Sequence, residues 1–192
     1  MDSNRHLMLD ADSPRRSDIA TDLGLAILAE GGVPALTPQA VGDRLGCSRQ
    51  AVHQWFGGQE SLRHVVATGF CVRWQRWTQA RVYAGGLAGL LPVGEEPDRE
   101  EVVGWCRAWF ALVDHAPRDA RIADLVDAVR CNDRQEIAGL LRSDPGSDRV
   151  ALVHSLVEGL RLGLCATEPT LTSDRAVRIL EAATEGLVNQ LA

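Results

Sequence analysis

The chain has no lysine; all twenty of its Lys and Arg positions are arginine. Phosphate contacts, if it makes any, fall to planar forked guanidinium groups. GC-rich codon usage alone produces the same bias. Aromatic residues are scarce at 5%, and the five cysteines (47, 71, 106, 131 and 165) include no CxxC pair and no histidine partner at zinc spacing. Unpaired, widely spaced cysteines fit a reducing cytoplasm, where small buried hydrophobe is their ordinary role. No run approaches the roughly eighteen apolar residues of a membrane span. The polar, acidic start MDSNRHLMLDADSPRRSD lacks the apolar centre of a signal peptide, so a cytoplasmic protein is expected. Alternating strand patterns and hairpin turns are missing too, which leaves an all-α chain. GxSxG, P-loop, HExxH and dinucleotide glycine motifs are absent, so the sequence predicts no catalytic residue, no cofactor and no metal ligand set.

A net charge of −6 argues, taken alone, against a partner made of phosphate. The distribution says otherwise. Through Arg81, nine Arg face eight acids; from Val82 onward, eleven Arg face eighteen. The acidic excess is C-terminal.

Local signals divide the chain into about nine helices. Residues 1–16 read as a disordered tail. The run from Asp18 places Ile19, Leu23, Ala26 and Ile27 on one helical face and stops at Gly31 and Gly32. Thr37 and Pro38 open a second, short helix that ends near Leu45 and Gly46. Ser48 caps a third, SRQAVHQWF, closed by Gly57 and Gly58, and a long fourth begins at Gln59 with the stripe Leu62, Val66, Phe70, Trp74, Trp77. After the Gly and Pro rich segment 85–98, helices are expected at about 99–115, 118–130, 133–142, 149–166 and 173–191.

Residues 37–56 read as helix, turn, helix. Such a unit needs a small residue where the helices cross and glycine in the tight turn, which Gly42 and Gly46 supply. Val41, Leu45, Cys47, Val52 and Phe56 fall at inward positions; Arg49, Gln50, His53 and Gln54 lie on the other face. That face is polar and nearly free of acids, on a helix about 10 Å long that suits a major groove about 12 Å wide. Arg49 suits guanine edges or phosphate, and Gln50 or Gln54 suits adenine. Thr37, His53 and the first amides of the second and fourth helices are placed for phosphate. An ordinary amphipathic helix also shows a polar face.

The stretch LTPQAVGDRLGCSRQAVHQWFGGQESL, Leu36 to Leu62, resembles the DNA-binding signature of the TetR family of transcriptional regulators, and the helix before it is similar as well. The resemblance implies a helix-turn-helix domain over 17–62 and a helical ligand-binding and dimerisation domain over 63–192. It implies DNA contacts from Thr37, Gln39, Ser48, Arg49 and Gln50, together with His53, Gln54, Trp55 and Gln59. Departures occur at His53, where tyrosine is usual, at Gln50 for glycine, at Trp55 for histidine or tyrosine, and at Gln59 for lysine. Losing a charged phosphate contact at Gln59 leaves its backbone amide and predicts a shallow dependence of affinity on salt.

In the second half, four of the five Trp lie on two helices. Trp74 and Trp77, with Trp105, Cys106, Trp109, Phe110 and Val113, can line a cavity for an apolar or aromatic molecule. Core packing uses the same spacing. The resemblance implies an inducer site here, with Tyr83, Arg107, Asp114, His115 or His154 as polar anchor. The last two helices carry apolar residues on more than one face: Val153, Leu156, Val157, Leu160 and Leu164 make one stripe, Leu152, Gly159 and Gly163 lie toward another, and Val177, Leu180, Ala183, Thr184, Leu187 and Leu191 repeat the theme. The dimer contacts are expected at Leu152, Leu156, Gly159, Leu160, Gly163, Leu180, Ala183, Leu187 and Leu191. Helices packed on two sides have two partners, so a homodimer through a four-helix bundle is expected. The reading is a cytoplasmic, homodimeric, sequence-specific DNA-binding regulator, a repressor released from a palindromic operator by a small apolar or aromatic molecule, with double-stranded operator DNA and that molecule as partners and no membrane. The alternatives are a helical ligand- or protein-binding module with a degenerate DNA head, and a Cys-dependent enzyme or redox sensor.

Overall fold

The computed structural model describes residues 14–91, 98–166 and 171–189, and every regular element among them is helical. Eight α-helices follow one another: α1 (Pro14–Ala35), α2 (Pro38–Leu45), α3 (Arg49–Phe56), α4 (Gln59–Gly85), α5 (Asp98–His115), α6 (Ala120–Leu141), α7 (Asp148–Cys165) and α8 (Ser173–Asn189). Short 3-10 turns at Gly86–Leu90 and Ala116–Arg118 separate α4 from α5 and α5 from α6. No helix among the described residues is long and apolar enough to cross a membrane.

The helix boundaries follow their caps. Thr37 accepts a hydrogen bond from the Ala40 amide at 3.1 Å, Ser48 from Ala51 at 3.1 Å and Ser147 from Val150 at 3.4 Å. Asp119 takes the amides of Arg121 and Ile122 at the start of α6. Gly46 and Gly57 close α2 and α3 in the left-handed region, at φ 67° and 74°.

Three expectations change. α1 begins at Pro14, inside the stretch read as tail, of which residues 1–13 lie outside the described part. Its buried face is Ala20, Thr21, Gly24, Ile27 and Leu28, with Ile19 and Leu23 half-buried and Ala26 exposed, because α4 and α5 cover α1 from a different side. The expected helices at 118–130 and 133–142 are one helix, α6, which leaves eight among the described residues where about nine were expected. Asn132 and Asp133 are poor helix formers because their side chains compete for the backbone. Here the Asp133 carboxylate is instead held by Arg161, and the helix runs through.

One apolar core joins α1 to α6 and includes Leu28, Val52, Leu62, Phe70, Trp74, Trp109 and Ile122. A second gathers Leu90, Leu91, Ile137, Val153, Val157, Leu160 and Leu180 beneath α7 and α8. Gly89 brings the 3-10 turn onto α4: a Cβ there would sit 2.3 Å from the Arg81 backbone. That approach seats Leu90, fully buried, beside α7.

Candidate nucleic-acid interface and buried ionic cluster

α2 and α3 form the tight pair that the sequence motif requires. A Cβ on Gly42 would lie 2.8 Å from the Cys47 carbonyl oxygen, so any larger residue pushes the turn away from α2. Val41 and Val52 are fully buried between the helices, and Leu45, Cys47 and Phe56 pack against the same core. Arg49, Gln50, His53 and Gln54 are all exposed, side by side on α3, as are Gln39 and Ser48. Gln39 donates to Asp43 at 2.6 Å, and Ser48 serves as the α3 cap. Trp55, grouped with the DNA contacts by resemblance, is half-buried against the core of the head. Gln59 is half-buried at the start of α4, where no side chain caps the helix and the first amides stay open to an incoming acceptor. Arg63 donates to the carbonyls of Pro34 and Leu36 and so ties α4 to the loop that leads into α2.

The tryptophans meet one another. Trp74 and Trp109 are fully buried and stacked at 5.6 Å with 14° between their planes. Trp77 lies 5.4 Å from Trp74, and Trp105 lies 6.0 Å from Phe70 and 6.2 Å from Trp77. Cys106 is buried beside them, where the neighbouring Cys165 thiol and burial hold its thiol pKa well above the usual value, while Phe110 and Val113 pack at the margin. In this structure the rings fill the space between α4 and α5 themselves. An open cleft of about 480 Å³ lies elsewhere, between α1 and α4, lined by residues that include Asp18, His64, Thr68 and Arg73.

Beside the stacked rings is a feature the sequence reading missed. Arg161 of α7 is fully buried; its Nη1 donates to Asp133 Oδ2 at 2.7 Å and to Glu158 Oε1 at 2.9 Å, and its Nε donates to the Leu90 carbonyl at 2.8 Å. The guanidinium carbon lies 5.1 Å from the Trp74 ring centroid. Trp109 Nε1 donates to both Glu158 oxygens at 3.3 Å, and Arg130 approaches Glu158 at 3.7 Å. Burial alone lowers the arginine pKa, but Asp133 and then Glu158 outweigh it and hold it above the usual value. Burial pushes the His154 pKa down, against the pull of Glu158 and Asp133, so its imidazole is neutral at neutral pH. Among the polar anchors considered, His154 alone reaches this cluster; Tyr83 is exposed, and Arg107 donates to the Cys165 carbonyl. One signal was available in the sequence: His154, Glu158 and Arg161 recur at helical spacing alongside the apolar stripe Val153, Val157, Leu160, Leu164.

The outer faces of α7 and α8 carry Leu152, Leu162 and Ile179, which are 55%, 57% and 37% exposed. Gly159, Ala182 and Gly186 are exposed on the same two helices, and Leu156, Gly163 and Ala183 are half-buried. Leu160 and Leu180, grouped with the dimer contacts by sequence, point into the chain's own core. Leu191 lies outside the described residues, as does the side chain of Leu187.

The family model of the BetI-type transcriptional repressor C-terminal domain matches residues 85–189, more than half of the chain. The chain belongs to the TetR family of transcriptional regulators. Solved structures of similar fold include a TetR-family regulator from Rhodococcus sp. with 19% identity and TM-score 0.69, covering 90% of this chain and 98% of that one. A transcriptional regulator from Rhodococcus sp. Rha1 has 15% identity and TM-score 0.75, covering 91% and 96% of the two chains. A regulator from Saccharomonospora viridis, solved in complex with choline, has 14% identity and TM-score 0.73, covering 90% and 97%. At these identities the likeness is one of fold. No curated protein matches the chain at a significant level. As a TetR-family member the protein is a DNA-binding regulator of transcription, and the BetI-type match covers the helices that follow α4.

Proposed function

We propose that the protein is a homodimeric repressor, held on a palindromic operator and released by a small molecule that enters the helical domain. The carrying observation is the exposed row Arg49, Gln50, His53 and Gln54 on a helix without a carboxylate of its own. Those groups match the donor and acceptor pattern of major-groove base edges, with Arg49 reading guanine and a glutamine reading adenine. Thr37, Gln39, Ser48 and the open amides at Gln59 take the flanking phosphates. Two such heads reach successive grooves about 34 Å apart only if the chains pair. The exposed apolar and small residues of α7 and α8 supply the pairing face, a bundle of four helices.

The ligand enters among Trp74, Trp77, Trp105, Trp109 and Phe110, and is small and apolar or aromatic. A neighbour of the same fold was solved with choline, a molecule that aromatic rings can hold by cation–π attraction. α4 links this region to the operator. Its first turn is anchored to the head through Arg63, and Trp74, Trp77 and Thr78 sit on its later turns. A ligand that separates the rings has to shift α4, and it favours the DNA-free state by its differential affinity for the two arrangements.

Selection of the purified protein against random duplex DNA at low salt tests this reading. A recovered palindrome with half-sites one helical turn apart is the expected result; recovery of no preferred sequence would sink it.

A further inference from the structure

The buried cluster between α6 and α7 has the makings of a second, inorganic site. Asp133, His154 and Glu158 each offer one ligand atom, and these atoms all lie within 4.8 Å of one another. His154 and Glu158 stand one helical turn apart on α7, which puts both side chains on one face, and Asp133 meets them from α6. Two polar atoms of these residues are orphans. Asp133 Oδ1 and His154 Nε2 are buried without a hydrogen-bond partner, on residues that are 1% and 8% exposed. Buried acceptors are normally paired, so each asks for a cation or a bridging water.

The two carboxylates attract a cation: Asp133 and Glu158 bring two negative charges, balanced here by the buried Arg161 and by Arg130, which lies 3.7 Å from Glu158 with a side chain 34% exposed and is the partner an entering ion displaces. We propose that Asp133, His154 and Glu158 form a binding site for a first-row divalent transition ion, independent of the operator and of the organic ligand. One imidazole nitrogen with two carboxylate oxygens selects such an ion over magnesium or calcium. Tetrahedral ligands at about 2.1 Å from zinc stand about 3.4 Å apart, so the site closes by side-chain rotation of about 1 Å. Three protein ligands leave a position for water, and the buried Arg161 Nη2, a donor without a partner, is available to it. The ion clips α6 to α7 beside the Trp74 and Trp109 stack.

The test is titration of the chelator-treated full-length protein with Co2+, followed in the visible spectrum, with Zn2+ as competitor. The site predicts one ion per chain, weak visible bands without the intense near-ultraviolet thiolate band, and displacement by Zn2+. His154→Gln leaves the hydrogen bonds of Asp133, Glu158 and Arg161 in place and should fold; it is expected to weaken binding at least about tenfold. Absence of binding, which a lone buried water predicts, overturns the proposal. So does a thiolate band pointing to the cysteines, or a loss in His154→Gln smaller than tenfold.

Discussion

Arg161 and Trp74 meet face to ring: the guanidinium carbon of a residue on α7 lies 5.1 Å from the indole centroid of a residue on α4. The pair joins α7 to α4, the helix that follows the helix-turn-helix unit. Both side chains are fully buried, so neither moves without the other, and the attraction is stronger for being desolvated.

Removing Asp133 should unsettle this junction more than any surface charge. Asp133→Ala leaves a fully buried guanidinium with one bond to its main carboxylate partner lost. A destabilisation of about 3–5 kcal/mol is expected, read by urea unfolding at fixed protein concentration. The double variant Asp133→Leu with Arg161→Met should recover much of that loss. If the double is no more stable than the single, the ion pair is not the source of the effect.

On the reading helix, Arg49→Ala and Gln54→Ala should each lower operator affinity by about 1–3 kcal/mol per half-site and relax base preference at one position. Thr37→Ala loses the α2 cap as well as a phosphate contact, and should weaken all sequences alike. Binding isotherms on the selected operator and on single-base variants separate the two patterns. Unchanged affinity in both α3 variants would mean that this face does not touch bases.

Gly42→Val isolates the head from the rest. The added side chain collides with the Cys47 carbonyl and forces α3 away from α2. Overpacking of this kind costs about 1–3 kcal/mol. DNA binding should disappear while sedimentation still reports a dimer, because α7 and α8 do not touch the turn. A variant that binds operator normally would show that the close crossing is not required.

For the dimer, the informative positions are the exposed ones. Leu152→Arg with Leu162→Arg should give folded monomers in sedimentation equilibrium, with unchanged helicity by circular dichroism. Leu160→Arg, which the sequence alone suggested for this purpose, buries a charge in the core beneath α7 and should unfold the chain. A dimer that survives the exposed pair would move the interface to another face.

Thiol reactivity should follow burial. Cys131 is exposed and should alkylate in the native protein; Cys71, pushed up to about 12 by burial, should not. An unfolded thiol ionises near 9.0, so Cys71 contributes stability that is intact below that pH and is lost as pH rises toward 12. Cys71→Ala should flatten the alkaline decline in melting temperature, and an unaltered decline would assign it to other groups.

Much of the head was legible before any coordinates. Thr37, Ser48, Gly46 and Gly57 act within one turn of their own positions, through hydrogen bonds between residues three or four apart. The polar row on α3 followed from the same periodicity. On α7, the sequence showed apolar residues on two faces, but which face met the chain itself depended on α8 and the 3-10 turn at Gly86–Leu90. That is why Leu160, expected at the dimer contact together with Leu152, lies in the chain's own core while Leu152 stays exposed.

The amino-acid sequence by itself determined an all-helical chain, its caps and its helix-turn-helix, because those rest on interactions between near neighbours along the backbone. Only the tertiary structure decided that four tryptophans pack against one another with Trp74 stacked on Trp109, that α6 runs unbroken through Asn132 and Asp133, and that a buried arginine holds two carboxylates. Asp133 and Arg161 are 28 residues apart. Nothing local brings such a pair together; the packing of α6 against α7 does, and the low dielectric of that interface then makes each charge depend on the other.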